Sequence, residues 1–261
     1  TRALSHAELT QKLGGSFSPY SLNPYLLFDA RDSMIGTLEN PTLDLNPALA
    51  ETLDVITAVR AGVATYTDES GLIQSATANT VRVDHSLGYP AMLIEPSATN
   101  LLPYSEDFSN SFYVKDSGVS IGTTTHLSPS GNADATKIEV SDNGRIYANA
   151  TSDTYYTTIF IKSGTFSHFK IGGGSVDLLA GTNANGTIET FSNGWHRIGY
   201  SSTGGRPLQI QAYPDDTYSI HSDSGDYYLW GAQLETGSVS TSVIPTSGSA
   251  VTRAADDLSI T

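Results

Sequence analysis

The chain has 261 residues, of which 38% are hydrophobic, with 24 glycines, no cysteine and a formal net charge of −14. The lack of cysteine excludes disulfides, thiolate metal sites and cysteine nucleophiles. The acidic balance disfavours partners recognised through negative charge, such as a nucleic-acid backbone or an anionic membrane, and no apolar run is long enough to insert in a bilayer as a helix. The length suits one large all-β unit or two smaller ones.

Residues 1–15 read as a short helix. Ser5 and Glu8 have capping-box spacing, Leu9 and Leu13 share a face, and Gly14-Gly15 ends it. Residues 16–54 are irregular and punctuated by prolines, with a second short helix opening at Asn46-Pro47 and carrying Leu49 and Leu53. Leu22, Leu26, Leu27 and Phe28 have no self-contained core pattern. Residues 1–54 are therefore expected to bury against another surface, as an anchoring or oligomerisation segment.

From Val55 the signals turn strand-like, and residues 55–99 read as hairpins packed on a sandwich. Val63–Tyr66 and Leu72–Ile73 flank Asp68-Glu69-Ser70-Gly71, a turn with glycine where positive φ is needed. Met92, Leu93 and Ile94 form a short buried run. Residues 100–236 carry the clearest alternation. Ile138 and Val140 share a face, as do Ile198 and Tyr200, and Leu208, Ile210 and Ala212 alternate with polar neighbours. The same period groups Tyr228, Trp230, Ala232 and Leu234 on one face. Repeated period-two segments spaced by glycine-rich turns predict an all-β fold, an antiparallel jelly-roll β-sandwich. Residues 237–261 read as an arm laid over it.

Catalytic signatures are missing. There is no G-x-S-x-G elbow or H-E-x-x-H helix, the six histidines never pair at metal-ligand spacing, and Gly172-Gly173-Gly174 reads as a turn. The chain is expected not to be an enzyme. Asp215, Asp216, Asp223 and Asp226 read as a solvated acidic turn. Trp195 and Trp230 are expected in the core. Tyr113, Tyr213 and Tyr218 are the aromatics expected to be exposed, and hence the candidates for stacking on a glycan.

Several strings resemble a family of bacteriophage virion proteins that form structural proteins, tail fibres and head-spike fibres. They are Arg60-Ala61-Gly62-Val63-Ala64-Thr65-Tyr66-Thr67-Asp68-Glu69-Ser70-Gly71-Leu72-Ile73, Ala78-Asn79-Thr80-Val81-Arg82-Val83-Asp84-His85, Leu93-Ile94-Glu95-Pro96-Ser97-Ala98-Thr99-Asn100-Leu101-Leu102 running into Tyr104-Ser105-Glu106-Asp107-Phe108-Ser109-Asn110, Tyr228-Leu229-Trp230-Gly231-Ala232-Gln233-Leu234-Glu235 and Ile244-Pro245-Thr246-Ser247-Gly248-Ser249-Ala250-Val251-Thr252-Arg253-Ala254-Ala255-Asp256. Their order covers roughly residues 55–257. The resemblance implies a concanavalin-like or carbohydrate-module-like jelly roll on the surface of a phage particle, in contact with other virion proteins. It also implies assembly as a homotrimer, and with it a role in attachment to the host surface, through a glycan or another envelope component. The alternatives are a purely structural decoration or connector and, third, a polysaccharide depolymerase; the last is disfavoured because no short-period β-helix repeat is present. A weaker resemblance, to calcium-stabilised jelly-roll carbohydrate modules, implies a structural calcium held by Glu106, Asp107 and Gln233. This chain departs from those modules in having Trp230-Gly231 where they carry an acidic pair.

Overall fold

The computed structural model describes residues 56–123, 126–150, 154–203 and 205–260, together with the backbone of the two-residue strand β1 (Leu26–Leu27). The helices expected within residues 1–54 lie outside the described residues. Among those described, the helical content is one 3-10 turn, Ser192–Gly194, and nearly everything else is strand and turn.

The first group of strands is β2 (Ile56–Val59), β3 (Ala64–Thr67), β4 (Ile73–Ala76), β5 (Val83–Asp84), β6 (Ala91–Ile94) and β7 (Ala98–Asn100). The β3–β4 hairpin forms where the turn residues require it. Asp68 accepts from the backbone N–H groups of Ser70 (2.8 Å) and Leu72 (3.0 Å), and Gly71 takes φ +77°. Leu26 and Leu27 pair with Ile94 and Leu93 on the free side of β6.

The second group comprises β8 (Val114–Lys115), β9 (Val119–Ile121), β10 (Thr136–Ser141), β11 (Arg145–Ala148), β12 (Thr154–Ser163) and β13 (His168–Ile171). It continues with β14 (Gly174–Asp177), β15 (Thr182–Asn183), β16 (Gly186–Thr190), β17 (Trp195–Thr203), β18 (Leu208–Tyr213) and β19 (Ser224–Thr236). These make two six-stranded antiparallel sheets, ordered β16-β17-β12-β19-β10-β9 and β15-β14-β13-β18-β11-β8. They form a β-sandwich. Its core takes Ile138, Ile159, Ile161, Ile198 and Leu229 from the first sheet, and Ile146, Phe169, Ile171, Leu208 and Ile210 from the second. Alternation sets this directly, because side chains of one parity meet across the sandwich while the other parity faces out.

The expected face of β19 is corrected. Tyr228 and Trp230 point away from the core, whereas Tyr227, Leu229, Ala232 and Leu234 point into it. The register with β12 slips at this point: Thr158 faces Gln233, and Phe160 faces Trp230. One residue of β12 thus opposes two of β19, which is a β-bulge, and Gly231 takes the left-handed φ of +59° that such a bulge uses. The extra residue reverses the phase of the strand, so constant alternation fails across it.

A second, smaller cluster lies on the outer face of the first sheet. Phe160, Trp195 and Trp230 project there, and Ile73 of the β3–β4 hairpin, Ala135 and Val243 of the C-terminal arm cover them. Both tryptophans are buried as expected, though in this cluster and not between the sheets. Trp195 donates its indole N–H to the Leu127 carbonyl at 3.0 Å. The arm ends in β20 (Val251–Arg253), paired with β7, and β21 (Asp257–Ile260), paired with β2. Fully buried Asn100 fixes this junction. Its amide donates to the carbonyls of Ala232 (3.0 Å) and Ile244 (2.9 Å), while its oxygen accepts from the N–H groups of Leu102 and Leu234.

Candidate functional site

The densest array of charge in the described residues is buried. Arg60, Arg82 and Arg253 meet Glu95 and Asp256 where the hairpins, β7 and the C-terminal arm come together. Arg60 reaches Asp256 at 2.8 Å, and Arg82 reaches Glu95 at 2.8 Å while also pairing with Asp256. Arg253 lies 3.4 Å from Glu95. Backbone and hydroxyl partners complete the array. Arg82 also donates to the Thr65 carbonyl (2.7 Å), Arg60 to the Thr77 carbonyl (2.6 Å) and Arg253 to the Pro96 carbonyl (2.8 Å). Glu95 accepts from the Ser242 N–H at 2.7 Å. Burial alone would raise the Asp256 carboxyl, but its hydrogen bonds to Arg60 and Arg82 and to the Glu95 N–H, with the Arg82 charge, hold it below the usual carboxylate range. Every side chain here is at most 4% exposed, so the array is a structural seam closed to ligands.

Gln233, expected as a calcium ligand, belongs to the next layer of that seam. Its amide donates to Glu235 at 2.6 Å, and its oxygen accepts from the Ile244 N–H at 2.7 Å. The side chain is therefore engaged on both sides with protein. Asp107 caps a local turn, accepting from the N–H (3.1 Å) and hydroxyl (2.5 Å) of Ser109. Glu106 lies near Asp134, and burial, aided by that neighbouring charge, pushes its carboxyl up to about 6. The hydrogen bonds of the Gln233 side chain go to Glu235, Thr241, Ser242 and Ile244, and none goes to Glu106 or Asp107. Among the described residues, no group of three or more His, Asp or Glu is placed to hold a metal ion.

Two of the three candidate tyrosines are not exposed. Tyr113 packs into the sandwich core against Phe108 and Phe112, with ring centroids 4.8 and 5.2 Å away, and donates its hydroxyl to the Tyr104 carbonyl at 2.5 Å. Tyr213 points outward at the end of β18, as alternation requires, but the loop that follows folds back over it. Tyr218 meets its ring at 5.5 Å and His221 at 5.7 Å, leaving Tyr213 only 4% exposed. Tyr218 is the half-exposed one, and with Tyr213 it forms the aromatic corner of the second sheet. His168 stands 6.1 Å from Tyr218, and Lys170 lies over the Tyr213 ring at 5.4 Å. Tyr218 has a φ of +50°, a left-handed conformation that costs a non-glycine residue about 1–2 kcal/mol. Burial, with the charges of Asp177 and Asp216, raises its hydroxyl pKa. This corner offers a partly open ring with Lys170 and Asp177 nearby, a small platform able to stack on a planar or sugar face.

The seam was not identifiable from sequence, because its residues are spread from Arg60 to Asp256 with no local spacing that links them. The sequence signal at these positions is only that each falls within one of the strings noted for their resemblance to virion proteins. No protein-family profile matches the chain, and no curated protein sequence matches it.

Proposed function

We propose that this chain is a non-enzymatic module of a bacteriophage virion, part of a spike, head fibre or tail fibre, and that its sandwich is a jelly roll. Strand order supports the jelly roll. Strands β10, β19, β12 and β17 lie in one sheet, β11, β18, β13 and β14 in the other, so the chain crosses between sheets from β10 through β13 and again from β17 through β19, and β18 and β19 insert between earlier strands. The observation that carries the virion reading is a convergence. Arg60, Arg82, Glu95, Arg253 and Asp256 come from four separate strings that resemble the virion family, and all five meet in one buried seam. The resemblance thus bears on a joint that makes hairpins, sandwich and arm a single stiff body, as a surface fibre or spike requires.

Attachment to a host glycan is the role we assign to this module, acting as a homotrimer in which several weak sites add by multivalency. A purely structural role is the second reading, favoured by the burial of Tyr113 and Tyr213. The test of the virion assignment is immunogold labelling of purified particles of the encoding phage with antibody raised against the chain. Gold on the particle surface is expected; a chain confined to the particle-free lysate would contradict the assignment. Sedimentation equilibrium tests the trimer, and a monomer at high protein concentration would remove it.

A further inference from the structure

The outer face of the first sheet is only half covered. The β3–β4 hairpin and the loop around Leu127 and Pro129 seal Phe160, Trp195 and Trp230, and the Ile73 N–H donates to the Pro129 carbonyl at 2.9 Å. The cover stops at Tyr228, whose ring is met by His126 at 4.0 Å. Beyond that edge the register carries the same face onward. Lys137 sits directly opposite Tyr228, Glu139 opposite Asp226, and Ser120 opposite Glu139. A shallow, open cleft of about 440 Å³ lies there, lined also by Thr165 and Ser224. That volume falls within the roughly 300–1,000 Å³ typical of small-ligand sites.

The chemistry of this cleft is specific. Lys137 is held between two carboxylates, 3.1 Å from Glu139 and 3.0 Å from Asp226. Asp226 is fixed in turn by the N–H (2.8 Å) and hydroxyl (3.0 Å) of Thr165. An ammonium, two carboxylates and the hydroxyls of Ser120, Thr165 and Ser224 thus line the cleft together, a set that can trade its mutual bonds for those of a ligand's vicinal hydroxyl groups. Two carboxylates against one ammonium, in a chain of net charge −14, repel an anionic ligand.

We propose that this cleft binds a neutral, hexose-class glycan, with its hydroxyls on Lys137, Glu139 and Asp226. This rests on the attachment reading above and moves the main contact from the Tyr218 corner to the opposite sheet.

The test is a glycan array of neutral and acidic bacterial-type oligosaccharides probed with the full chain and three variants. Glu139→Ala removes an acceptor, Ser120→Trp fills the cleft from an exposed edge position, and Tyr218→Ala alters the other corner. Melting temperature is measured in parallel to establish that each variant is folded. Neutral glycans are expected to bind, and Glu139→Ala and Ser120→Trp to weaken that binding by about tenfold or more, with Tyr218→Ala unchanged. A folded Ser120→Trp or Glu139→Ala protein that binds as the parent does would overturn the cleft while leaving attachment standing. The same holds if Tyr218→Ala alone abolishes binding, and binding confined to acidic glycans would overturn the neutral class. Failure of the parent chain to bind any glycan would overturn both cleft and attachment.

Discussion

Arg60 donates to Asp256 at 2.8 Å although 196 residues of sequence separate them. Asp256 also pairs with Arg82 and accepts from the Glu95 N–H at 3.0 Å, so one carboxylate ties three segments of the chain together. Taking these charges out of water is costly, and their mutual attraction roughly offsets that cost. The array contributes order more than net free energy, and its value appears when one member is removed.

Arg82→Met should therefore be among the most destabilising single changes in the protein. It leaves the Glu95 and Asp256 carboxylates facing each other with less compensation and strips a donor from the Thr65 carbonyl. The expected loss is about 3–5 kcal/mol, read from the urea midpoint. A loss below about 1 kcal/mol, the range of an exposed ion pair, would mean that the seam is not closed.

Acid should loosen the same joint. The Asp256 carboxyl is held below its ordinary value of 3.8, so the folded protein binds its proton less readily than the unfolded chain does. That stabilisation is fully present above the unfolded value and is lost as pH falls through the folded one. Stability followed by thermal melts should drop as pH is lowered beneath about 4. An Asp256→Asn variant, weaker at neutral pH, should show a shallower fall in that window; parallel curves would locate the acid sensitivity elsewhere.

Glu106 should behave with the opposite sign. Burial raises its carboxyl from 4.5 to about 6, so the folded state binds the proton more tightly than the unfolded one. The favourable contribution is complete below 4.5 and disappears as pH rises through about 6. Glu106→Gln should raise the melting temperature at pH 7 and have little effect at pH 4. A lower melting temperature at pH 7 would show instead that the ionised carboxylate is satisfied in the fold.

Gly231→Ala tests the bulge. A methyl group at this residue would be held in the left-handed region and would meet the Phe160 ring at 3.1 Å. A cost of about 1–2 kcal/mol is expected from the backbone alone. An unchanged urea midpoint would mean that β19 relaxes without the bulge.

The bulge also marks how far the sequence could be read. Leu208, Ile210 and Ala212 lie in the core as their alternation indicates, and Asp68 and Gly71 make the expected hairpin turn. Alternation presumes a constant phase, and one extra residue at Gly231 reverses it, which moved Trp230 away from Ala232 and Leu234. The direction of Tyr213 was also legible, since it follows Ala212. Its burial was not, because that depends on Tyr218 and His221 returning from a loop whose path no periodicity encodes. The seam needed contacts across as many as 196 positions, and local pattern carries no information about those. The open cleft was hidden for a related reason. Lys137, Glu139 and Asp226 read as ordinary polar positions until the hairpin is known to cover only the other half of their face.

Hairpins, sandwich and C-terminal arm are joined into one body through the buried arginines. Native-state hydrogen exchange tests it most directly. The Leu93 N–H bonded to the Arg82 carbonyl, and the Asp256 N–H bonded to the Glu95 carbonyl, should open with the same free energy as the core amides of Ile159 and Leu229. Exchange of the hairpin and arm amides well ahead of the sandwich core would contradict it, leaving a sandwich with loosely attached ends.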